Sequence, residues 1–60
     1  MEATKVAEYA RALYSAHGDR AEAEAAQRAN AALNDQKTSE AETWQAVRAS
    51  IRRMRGPHQG

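Results

Sequence analysis

Cysteine and phenylalanine are both missing from this 60-residue sequence, and proline occurs once, at Pro57. Without cysteine there are no disulfide staples, and the thiolate ligands on which many zinc and redox centres depend are gone as well. Glycine is restricted to Gly18, Gly56 and Gly60, so little interrupts the chain between its first third and its end. No apolar run approaches the roughly 18–20 residues that span a bilayer, and no basic stretch leads into an apolar one as in a secretion signal. The expected compartment is therefore the cytoplasm. Large apolar side chains are scarce as well. Within the apparent helices they are Val6, Tyr9, Leu13, Tyr14, Leu33, Trp44, Val47, Ile51 and Met54. Much of the 42% hydrophobic content is alanine, whose burial contributes little, so a chain of this length is expected to complete its core by association.

What is present reads as helix. Val6, Ala10, Leu13 and His17 fall at i, i+4, i+7 and i+11, which predicts a first helix over about 2–17. Gly18 supplies a left-handed stop, and Asp19 with Glu22 forms a capping-box-like pair that starts a second helix over about 20–34. Alanine lines two sides of that helix, Ala21, Ala25, Ala29 and Ala32 on one and Ala23 and Ala26 with Leu33 on the other. Small residues on two sides suit the middle member of three helices. The segment NDQKTS then favours a turn, and Ser39 with Glu42 repeats the capping-box pattern ahead of a third helix over about 39–55. Gly56-Pro57 stops it. The expectation is an all-α fold, with helices two and three as an antiparallel hairpin in a three-helix bundle. Residues 1–55 form the single domain and 56–60 a flexible tail.

The stretch LYSAHGDRAEAEAA resembles the helix-turn-helix of a single tetratricopeptide repeat, with Tyr14, Gly18-Asp19 and Ala23 at the matching places; the similarity spans about residues 7–33. Arg11 stands where that repeat has a small residue, and the repeat's closing proline is missing. As a whole the chain is similar to small bacterial all-helical proteins, a resemblance that implies a fold and no activity. Arginine outnumbers lysine seven to two, which fits such a source.

Charge is unevenly spread although the formal net charge is only +1. Residues 19–36 carry −2 and residues 37–60 carry +3. Arg48, Arg52 and Arg55 recur at i, i+4 and i+7 on the third helix, with Arg53 beside them. One reading is a basic stripe for phosphates. The preferred reading is structural: an antiparallel hairpin places Arg48, Arg52 and Arg53 opposite Glu24, Glu22 and Asp19, with cations at a helix C-terminus and anions at an N-terminus.

Trp44, Val47, Ile51 and Met54 stand at spacings of 3, 4 and 3, the strongest apolar pattern in the chain. Two heptads are too few for a free-standing coiled coil, so a packed bundle helix is the better reading and Trp44 is first of all a core residue. Tryptophan and arginine are also enriched at binding centres, and in a dimer the two descriptions merge. The candidate interface is therefore Trp44, Val47, Arg48, Ile51, Arg52, Met54 and Arg55.

Chemistry beyond binding finds little support. His17 and His58 share no ligand spacing with another His or Cys, so no metal or cofactor is expected; His17 suits a helix end and His58 lies in the tail. Glu22 and Glu24, like Glu40 and Glu42, are too close in sequence to share a helix face, and Ser15, Ser39 and Ser50 lie in no nucleophile motif. An enzyme is not expected. The expected function is a small non-catalytic protein-protein interaction module, an adaptor, regulator or accessory subunit that forms a homodimer or binds another protein. A nucleic-acid-binding regulator using the arginine stripe is the alternative.

Overall fold

Helix-forming residues run almost unbroken between Gly18 and the NDQKTS turn and again beyond it, and three helices result. In the computed structural model, which describes residues 3–56, they are α1 (Ala3–His17), α2 (Arg20–Asn34) and α3 (Thr38–Arg55). The expected start at residue 2 and the tail with His58 fall at least partly outside the described residues.

Gly18 ends α1 as anticipated. Its φ of +63° lies in the left-handed region, its N–H donates to the Tyr14 carbonyl at 2.7 Å, and its own carbonyl accepts from Ala21. The second turn uses the same device without a glycine. Gln36 takes φ 61°, Gln36 N–H donates to Leu33 O at 3.0 Å, and Lys37 N–H donates to Ala32 O at 2.8 Å. That pair of bonds is a Schellman closure with glutamine at the left-handed position.

Neither expected capping box forms. Asp19 is itself helical at φ −62°, ψ −19° and makes no side-chain cap bond. Its carboxylate lies instead 3.9 Å from Arg55 Nε. α3 begins two residues earlier than a Ser39 N-cap implies: Lys37 is the N-cap residue, without a side-chain cap, and its carbonyl accepts from Ala41 N–H at 2.9 Å. Ser39 is thus inside the first turn, where its carbonyl accepts from Thr43 Oγ1 at 3.1 Å.

The helices run up, down and up. α2 and α3 form the most extensive pairing, α1 packs chiefly on α3, and α1 and α2 touch least. The core is Val6 and Ala10 from α1, Ala21 and Ala25 from α2, and Val47 and Ile51 from α3, with Leu13, Tyr14 and Trp44 packed around it. Ala29, Ala32 and Ala41 are also buried, so Val6, Val47 and Ile51 are the only buried side chains larger than alanine among the described residues. Alanine lets α2 and α3 approach closely, and it returns little apolar area in doing so. Only one of the two alanine faces of α2 is used in this way. Ala21, Ala25, Ala29 and Ala32 are buried, whereas Ala23 is exposed and Leu33 is 50% exposed, because α1 settles on α3 and leaves that side of α2 open.

Candidate interaction surface

The arginine stripe meets α2 at its N-terminal end. Arg55 Nη1 donates to Glu22 Oε1 at 2.7 Å, while Arg52 Nε and Arg48 Nε lie 3.6 and 3.9 Å from Glu22 Oε2. Three guanidinium groups thus converge on one carboxylate, whose side chain is only 18% exposed. The arrangement also suits both helix dipoles, since anions gather at the start of α2 and cations at the end of α3. Arg48 Nε is buried and makes no hydrogen bond, so part of that side chain is held by the cluster without a direct partner.

The pairing differs in detail from the sequence expectation. Arg55, not Arg53, faces Asp19 and Glu22, because residues 48, 52 and 55 share a helix face and residue 53 is rotated about 100° from residue 52. Glu24 is likewise turned away from Glu22, and its Oε2 lies 3.3 Å from His17 Nδ1 across the first turn.

The apolar seam divides. Val47 and Ile51 are fully buried within the single chain, so they have no surface to offer a partner. Of the candidate interface residues, these two belong to the core of the packed helix instead. The 3-4-3 spacing marked the core side of α3, and periodicity alone does not tell a core face from a docking face. Trp44 is half-buried: the Tyr9 ring meets it edge-on at 5.5 Å and 72°, and the Arg28 guanidinium stands 5.2 Å from its ring centroid. α1 and α2 thereby both hold the tryptophan. Met54 stays 38% exposed and turns toward α1.

A different face of α3 is open. Glu42, Ala46, Ala49 and Arg53 recur at i, i+4, i+7 and i+11 and are all exposed, a second stripe on the side away from the core. Beside it, a groove between α1 and α3 is lined by Val6, Ala7, Ala46, Ala49, Ser50 and Met54, with Arg11 and Arg53 at its rim. A neighbouring hollow, lined by Val6, Ala46, Ser39, Thr43 and Glu42, extends the groove toward the start of α3. Arg11, Glu42 and Arg53 take part in no ion pair among the described residues. The sequence signal was the 4-3-4 spacing of Glu42, Ala46, Ala49 and Arg53, which passes unnoticed when alanine is counted as neither apolar nor polar.

Among the described residues no group of three or more His, Asp or Glu is placed to hold a metal ion. None of their helices is long and apolar enough to cross a membrane. No family model, curated protein or solved structure matches this chain.

Proposed function

We propose that this protein is a small non-catalytic protein-interaction module of the cytoplasm, an adaptor, regulator or accessory subunit, that docks through the α1–α3 groove and the outer side of α3. One observation carries the reading: a groove lined mainly by small and apolar side chains, with Met54 exposed in it and a more polar hollow adjoining it, is bordered by charges that have no partner among the described residues. Small side chains along a groove let a second backbone come close, and a charged rim gives such a contact its direction. The scarcity of large core residues adds to this, because a chain with so little apolar area to bury gains stability from a partner.

The arginine stripe is better assigned to the fold than to phosphate. Arg48, Arg52 and Arg55 converge on Glu22, and a phosphate would have to compete with that carboxylate for them.

Photo-crosslinking in cells tests the reading. A photoreactive amino acid replaces Ala49 in the groove in one version of the protein and Asn30 on the exposed side of α2 in another. The expected result is a discrete polypeptide adduct from position 49 and none from position 30. Equal labelling from both positions, no adduct from position 49, or an adduct with nucleic acid would contradict it.

A further inference from the structure

The groove carries opposite charges at its two ends. α1 and α3 run in the same direction, so the end near the start of α3 presents Glu42 and the other presents Arg53 with Arg11 beside it. Glu42 and Arg53 lie eleven residues apart on one face of one helix, about 16 Å along its axis. Ala46 and Ala49 occupy the middle of that interval, where they leave least between the helix backbone and whatever lies on it.

A surface of this kind is complementary to itself. A second copy turned antiparallel about a twofold axis between Ala46 and Ala49 brings Glu42 of each chain to Arg53 of the other, and the two contacts are identical by symmetry. A parallel arrangement would set Glu42 against Glu42 and Arg53 against Arg53, two like-charge contacts. We infer that the occupant of the groove is a second copy of this chain, docked α3 against α3 in an antiparallel twofold dimer in which Glu42 pairs with Arg53 across the interface. This inference rests on the docking face proposed above and names its partner.

The dimer accounts for features that the single chain leaves open. Met54 gains cover along the groove, and the exposed alanines of α3 meet at the axis, where a larger side chain would hold the helices apart. The Arg48, Arg52 and Arg55 cluster lies toward α2 and stays as it is in the monomer.

Charge exchange on the 60-residue chain tests the inference, with sedimentation velocity at low salt as the readout and far-UV circular dichroism confirming that each variant is helical. The wild type is expected to sediment as a dimer. Glu42→Arg and Arg53→Glu should each raise the dissociation constant at least about tenfold, since each sets like charges together at two symmetric places. An equimolar mixture of the two variants should recover the dimer as a heterodimer, because both cross-contacts then pair opposite charges. Arg11→Glu weakens the basic end from α1 and repeats the test away from the C-terminal turn of α3. A monomeric wild type, a dimer indifferent to both exchanges, or a mixture that stays dissociated would overturn the inference. A monomeric wild type that still gives a polypeptide adduct from position 49 in cells would leave the docking face standing and make its occupant a different protein.

Discussion

Arg55, the last residue of α3, donates from Nη1 to Glu22 Oε1 at 2.7 Å across 33 residues of chain, and so fastens the end of α3 to the first turn of α2. Arg48 and Arg52 approach the other oxygen of the same carboxylate. Among the described residues Glu22 is therefore the acidic group that all three arginines of α3 share, with Asp19 as a second partner for Arg55 alone.

Removing its charge should loosen the hairpin. Glu22→Gln keeps the side-chain shape and is expected to destabilise the fold by about 1–3 kcal/mol, at the lower end because Arg52 and Arg55 are well exposed to solvent. Urea unfolding followed by circular dichroism measures the loss. The gap between variant and wild type should narrow at high salt, because screening weakens the wild-type cluster and has less to act on in the variant.

Trp44 is gripped from both other helices, by the edge of Tyr9 and by the Arg28 guanidinium. Trp44→Ala should cost about 3 kcal/mol, which in a domain this small leaves much of the population unfolded. Trp44→Phe retains a ring for both contacts and should cost clearly less. Thermal melts of the two variants give the order directly.

The close approach of α2 depends on alanine. Ala25 is fully buried in the core cluster, and Ala25→Leu inserts a branched side chain where no space remains. The expected penalty is about 1–3 kcal/mol from forced separation of the helices, despite the added apolar area. Ala23→Leu, on the exposed side of the same helix, should leave stability nearly unchanged. Chemical denaturation of the pair checks the contrast.

Gln36 holds a left-handed conformation that glycine adopts without strain. Gln36→Gly should stabilise the protein by up to about 1 kcal/mol, the relief of strain being partly offset by the greater freedom of glycine in the unfolded chain. A rise in melting temperature of a few degrees is the expected reading.

The fold was legible because its signals are local and repeated. Val6, Ala10, Val47 and Ile51 mark core faces by spacing alone, and Gly18 stops α1 by backbone geometry that few other residues accept. An antiparallel hairpin likewise set the arginines of α3 against the acidic start of α2, although not their convergence on the single carboxylate of Glu22. Side-chain alternatives of similar energy were not legible. Asp19 could cap α2 or pair with Arg55, and the arginine prevailed; Arg53 and Arg55 both stand near the acidic start of α2, and their helix positions, about 200° apart, leave only Arg55 facing it. Which residues of α3 stay accessible was hard to read for a related reason. The strongest apolar stripe of α3 went into the core, and the exposed stripe is made of alanine between two charges, a pattern whose meaning emerges only once α1 is seen beside it.

Native mass spectrometry of the protein isolated gently at low salt from the cells that make it tests the central claim most directly. The account predicts a complex whose mass beyond the 6.6 kDa chain is polypeptide, a second 6.6 kDa copy in the arrangement inferred above. A bare 6.6 kDa chain, or a complex whose added mass is nucleic acid, would contradict it.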